Sequence, residues 1–257
     1  MRTRKVFMKK QVYDRNFWSN FAAKYSDAME LSISDIFNTP ASEDFIQKVE
    51  KRIGFRLPDD IRAAYLCFDG QKLGKRVKGK VKISGYTLFP LFYQWHTLAE
   101  ALNNWDIDLA IEDSSDHVLY AMYDSSGKFL GAGRRLGKNK GHEIISPEEC
   151  PVAYWPVLFD RRRLTLGVSG HFSIVADMNP REGGTSGQLL DSVISGSCTW
   201  YAPGFGAHCE RFVELIDTGE IFHGPLGWTD AATGERWSRP FEFKGFEEIS
   251  RSKYKYF

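Results

Sequence analysis

The chain has 257 residues, a 42% apolar and 26% charged composition, and a formal charge of +1. That length suits one large domain or two small ones. Near-neutrality argues against whole-molecule steering by nucleic acid or a membrane surface. No run approaches the roughly 20 apolar residues of a membrane span. The basic start, MRTRKVFMKK, leads into Asp14, Arg15 and Asn16 instead of an apolar core, so a cytoplasmic protein without a cleaved signal is expected.

A first helix is expected from Asp14 to Leu31, because Phe17, Trp18, Phe21, Tyr25 and Met29 recur on one side. Asn38-Thr39-Pro40 reads as a turn. The stretch from Ile46 to Gly70 reads as two short helices joined by a tight corner. Phe45, Ile46, Val49 and Ile53 form the first stripe, with Ser42 as its cap and Gly54 as its stop. Pro58 opens the second helix, Asp59 and Asp60 favour its positive end, and Ile61, Ala64, Tyr65 and Phe68 form its stripe up to Gly70.

Lys72 to Lys82 carries six basic residues and two glycines and reads as a solvated loop or hairpin. Val81 to Phe92 is rich in strand formers. Thr97 and Glu100 form a capping box ahead of Leu98, Ala101, Leu102 and Trp105. A hairpin is expected across Ser125-Ser126-Gly127, and Val152 to Phe159 is a dense apolar run. Phe172 to Asp177 and Gln188 to Ile194 read as strands joined by a glycine-rich corner. Ser197 to Phe205 reads as a further strand. Gly206 to Thr218 reads as a helix stopped by Gly219. Trp228, Trp237 and the turn Thr233-Gly234 suggest a hairpin in the tail.

The search for chemistry finds little. Cys67, Cys150, Cys198 and Cys209 form no close pair, which points to reduced, buried thiols. None of the six histidines has metal-ligand spacing, so no metal and no cofactor is expected. His208 and Glu210 flank Cys209 at positions that point apart on a helix. The corner EGGTSG lacks the Gly-Lys-Ser/Thr ending of a phosphate loop and reads as a hairpin connection. Asp177 and Glu182 could pair as acid and base, but a carboxylate beside Asn-Pro more often bonds its local backbone. No nucleophile, base and orienter stand at recognisable spacing, so the chain reads as a non-enzyme.

Several stretches together resemble the SUKH superfamily. They are "IGFRLPDDIRAAYLCFDG", "LFPLFYQWHTLAEALNNW", "YWPVLFD", "FSIVADMNPREGGTSGQLLD" and "WYAPGFGAHCERFVELI". The likeness rests on Trp155, Pro156, Asp177, Pro180, Gly184, Gly187 and Gln188, and runs from about Ser34 to Gly219. Arg161, Arg162 and Arg163 stand where the family has a small or glycine-rich turn. The resemblance implies an α+β fold, with a mixed, mostly antiparallel sheet and helices packed on one side. It divides the chain into a helical extension (1–33), a SUKH-like domain (34–219) and a C-terminal extension on the same domain (220–257).

The resemblance also implies protein binding. Bacterial members are mostly immunity proteins that neutralise a cognate toxin protein by occluding its active domain, and fungal relatives are interaction hubs in cell-wall assembly. Candidate partner-binding residues are Arg161, Arg162, Arg163, Tyr201, Trp228 and Trp237, since Arg, Tyr and Trp dominate interface energies. Asp177, Glu182 and Gln188 at the glycine corner join them. Burial in the core is the competing expectation for Tyr201 and Trp228. Oligomeric state stays open.

Overall fold

The computed structural model describes residues 12–72, 76–77, 80–81, 88–89, 94–114, 119–123, 129–135, 142–145, 160–169, 172–193, 197–224, 227–237 and 241–243. The apolar run 152–159, with Trp155 and Pro156, lies outside them. So do Cys150 and residues 73–75, 78–79 and 82 of the basic run.

Helix α1 spans Arg15–Ala28 and is capped by Asp14, whose carboxylate accepts from the Phe17 amide at 3.0 Å. A short helix that the sequence reading missed, α2 (Ile33–Ile36), follows and is capped by Ser32. Helix α3 (Glu43–Ile53) has the expected ends: Ser42 accepts from the Phe45 amide, and Gly54 turns left-handed at φ +80. Helix α4 spans Asp59–Cys67 with Pro58 as its flanking cap residue. Phe68 is already extended, so α4 stops before the expected end at Gly70.

Short strands β1 (Arg76–Val77) and β2 (Lys80–Val81) pair, and α5 (Leu98–Ser114) follows. Its capping box is reciprocal: the Thr97 amide donates to Glu100 at 2.8 Å, and the Glu100 amide donates to the Thr97 hydroxyl at 3.2 Å. Strands β3 (Leu119–Tyr123), β4 (Phe129–Arg135) and β5 (His142–Ile145) form a three-stranded meander.

The main sheet has the order β6-β7-β8-β9, from Arg163–Ser169, Phe172–Asp177, Gln188–Val193 and Ser197–Ala202. Helix α6 (Phe205–Asp217) and the hairpin β10 (Ile221–Gly224) and β11 (Gly227–Asp230) complete the order. The expected tail hairpin forms as well: across the turn Thr233-Gly234, Thr229 bridges Arg236 in antiparallel fashion and the Trp237 amide donates to the Trp228 carbonyl at 2.8 Å. All described strand pairs are antiparallel.

Strand β6 has no counterpart in the sequence reading. Arg161 and Arg162 lie in a turn, and Arg163 opens the strand. Leu164 and Leu166 enter the core beneath it, and Arg163 and Thr165 alternate to the other face. The period-2 signal was present in RLTLGVS but was overshadowed by three adjacent charges.

The class is α+β. One face of the main sheet, through Leu164, Leu166, Ile174, Ala176 and Leu189, joins the helices in a single core. Trp18 of α1 lies at its centre, stacked on Phe205 at 5.2 Å and on Trp95 at 6.4 Å. The α3–α4 stretch also supplies caps to remote helices. Asp60 accepts from the Gly206 amide of α6 at 2.9 Å, and Asp69 accepts from the Leu98 amide of α5 at 2.7 Å. Helix α6 needs this help because its own cap position is Gly204, which has no side chain. Gln71 works similarly inside the core: its carbonyl oxygen accepts from the Leu88 and Trp95 amides while its amide donates to Tyr25. No described helix is long and apolar enough to cross a membrane.

Candidate partner-binding corner

The antiparallel register sets Arg163 opposite Asp177 and Asp177 opposite Gln188, so three polar residues form one row across β6, β7 and β8. All three are buried, at 5%, 0% and 1% exposure. The Gln188 amide donates to Asp177 Oδ2 at 3.1 Å, the Asn179 backbone N–H donates to Oδ1 at 3.1 Å, and Arg163 Nε stands 3.7 Å from Oδ1. Burial pushes the Asp177 carboxyl up from the usual range, while Arg163, Gln188 and the Asn179 amide draw it back. Asp177 therefore forms the local turn bond expected of a carboxylate before Asn-Pro.

The same bonds hold the glycine corner, which is the hairpin connection of β7 and β8. Gln188 also accepts from the Thr185 amide at 3.3 Å, and the Gly187 amide donates to the Asp177 carbonyl at 2.8 Å. Gly187 has φ +86, and a Cβ there would stand 2.7 Å from Pro58 Cγ. The corner is thus seated against the start of α4, and only glycine fits.

The arginine run is pinned beside it. Asp160 is buried; it accepts from the Arg162 amide at 2.8 Å and from the Asn179 side chain at 3.3 Å. The Met178 amide donates to the Arg162 carbonyl at 2.9 Å, and the Trp105 indole donates to the Arg161 carbonyl at 2.9 Å. The Arg52 guanidinium lies 5.6 Å over the Trp105 ring. From this braced frame Arg161, Arg162 and Glu182 emerge exposed. Sequence reasoning missed Asp160, Asn179 and Trp105, whose bonds span up to 56 residues. The only local signal was the Asp-Arg-Arg adjacency.

Six of the nine candidate residues therefore gather at one corner, three as its buried brace and three at its surface. The other three go elsewhere. Tyr201, Trp228 and Trp237 are core residues at 4%, 3% and 6% exposure, which corrects their reading as exposed anchors. Trp228 donates to the Tyr25 hydroxyl at 3.3 Å and meets Phe212 edge-on at 4.8 Å; Trp237 stacks on Phe241 at 4.6 Å. An aromatic identity suits interface and core alike, and the fold of the tail decides between them.

The corner offers amide, guanidinium and carboxylate groups for hydrogen bonding. Cys198, near Arg163 and Asp177, is pushed up to about 12 by burial and stays a thiol at neutral pH. Cys209 is likewise raised by burial, and its neighbour His208 bonds the Leu88 carbonyl at 3.0 Å, so neither serves an activated Cys–His pair. Among the described residues no group of three His, Cys, Asp or Glu could hold a metal ion.

Residues 40–166, from just before α3 into β6, match the family model described as the SMI1 / KNR4 family (SUKH-1). That match supports membership of the SUKH superfamily, which includes toxin-immunity proteins. No curated protein matches the sequence.

Proposed function

We propose that the chain is an immunity protein that binds a cognate bacterial polymorphic toxin in the cytoplasm and occludes its active domain, without catalysis of its own. The observation that carries this reading is the braced corner in a SUKH chain. A buried Arg163–Asp177–Gln188 row fixes a hairpin connection and an arginine run, so Arg161, Arg162 and Glu182 meet a partner with little ordering cost. Buried polar rows of this kind give geometry more than stability.

The test has two stages. A tagged pull-down from the native host, read by mass spectrometry, is expected to return one tightly held protein that is lethal when expressed alone and harmless when co-expressed. The double variant Arg161→Glu/Arg162→Glu is then expected to weaken that complex by about tenfold or more with an unchanged melting temperature. Several non-toxic partners would instead favour an interaction hub of the fungal kind. A toxin bound equally well by the variant would move the interface away from this corner.

A further inference from the structure

A cleft of about 560 Å³ opens between the carboxyl end of α6, the start of β10, the end of β11 and the residues Trp237, Phe241 and Glu242. It lies beyond the matched segment 40–166 and apart from the corner. Its size falls within the range of ligand clefts. Leu215, Ile221, Trp237 and Phe241 supply its apolar wall, and the last two rings stack at 4.6 Å and 19°.

The charge around that wall is one-sided. Glu220, Asp230 and Glu242 line the cleft, and among the described lining residues Arg211 is the one cation. Arg211 is itself bonded to Glu214 at 2.9 Å. Asp230 is fixed in place by the Ala232 and Thr233 amides, at 2.9 and 3.1 Å. Helix α6 points its negative carbonyl end here with no basic residue in its last turn, whereas α3 carries Lys51 and Arg52 there. Three carboxylates and a helix carboxyl end over a buried apolar floor favour one guest, a cation carried on an apolar stem.

We infer that this cleft docks a cationic segment of a partner polypeptide, with an Arg or Lys stem laid along its apolar floor and its charge held by Glu220, Asp230 and Glu242. The inference does not depend on the immunity reading and would survive its failure.

The probe is a fluorescein-labelled heptapeptide of alternating Arg and Leu, titrated into the full chain and followed by polarisation and by tryptophan fluorescence. Saturable binding is expected, weakening as salt rises. Glu220→Gln/Glu242→Gln alters two exposed side chains and is expected to lower the affinity about tenfold without moving the melting temperature. Equal binding by that variant, equal binding of a Glu–Leu control peptide, or no saturation by about 1 mM would overturn the inference. Free arginine binding as tightly as the peptide would overturn the polypeptide guest.

Discussion

His208 gives the sharpest test of the core. It is fully buried on α6, between Phe89 at 5.0 Å and Phe241 at 4.9 Å, with Tyr201 and Phe212 at its flanks. Its Nε2–H donates to the Leu88 carbonyl, and its buried Nδ1 has no hydrogen-bond partner among the described residues. Burial lowers its pKa from 6.5 to about 4, against the smaller upward pull of the Leu88 bond. Above pH 6.5 the ring is neutral in both folded and unfolded chains and contributes no slope. Between 6.5 and about 4 the unfolded chain binds a proton that the folded chain refuses, so stability falls as pH falls. Below about 4 both are charged and the loss stops growing. From pH 7 to 4.5 this one ring should cost about 2.5 kcal/mol.

His208→Phe keeps the stacking and removes the titration. At pH 7 the variant should be about 1–3 kcal/mol less stable than the parent, because the buried Leu88 carbonyl loses its donor. At pH 4.5 the gap should close or reverse. Urea unfolding followed by tryptophan fluorescence at both pH values measures it. A gap that stays constant between pH 7 and 4.5 would refute the account, because His208 would then be titrating normally in the fold.

Two further outcomes follow from the same reasoning. Asp108 accepts from the Thr165 hydroxyl at 3.3 Å, and its pKa is raised to about 6 by burial. Its charged form therefore penalises the fold above pH 6, and the penalty vanishes below 3.8. Asp108→Asn should add about 1–3 kcal/mol near pH 7.5, and the gain should fade by pH 4 in the same urea assay. Gly70 has φ +75, and a Cβ there would sit 2.5 Å from the His96 carbonyl carbon; Gly234 has φ +69 with open space. Gly70→Ala should cost about 2–4 kcal/mol and Gly234→Ala about 1, as read from thermal unfolding. Equal costs would mean that conformation alone matters at both sites.

What was legible in the sequence was local. The ends of α3 were readable because Ser42 and Gly54 stand within one turn of the groups they serve. The capping box at Thr97 and Glu100 was readable for the same reason. The glycine corner was recognised as a hairpin because β7 and β8 are adjacent in the chain. What escaped was set by distance or by conflicting signals. Strand β6 hid behind three arginines. The row through Arg163 depends on that strand, so its burial could not be foreseen. Tyr201, Trp228 and Trp237 carry the right chemistry for an interface, but β9 packs Tyr201 against Phe89 and His208, and the tail takes Trp228 and Trp237 inside. The capping roles of Asp60 and Asp69 were invisible because their partners lie 146 and 29 residues away.

That last feature bears on the order in which the molecule is made. Asp60 leaves the ribosome long before the helix it completes. Until α6 arrives its carboxylate faces water, and burial raises its pKa once the helix docks. The amino end of α6 is finished only when it meets that waiting acid. A nascent chain cut short before Phe205 would present an unused acceptor beside an open core, and a transplanted α6 would begin with a bare amide. The last helix thus reports on assembly of the whole: its first turn closes only when the early helices are already in position.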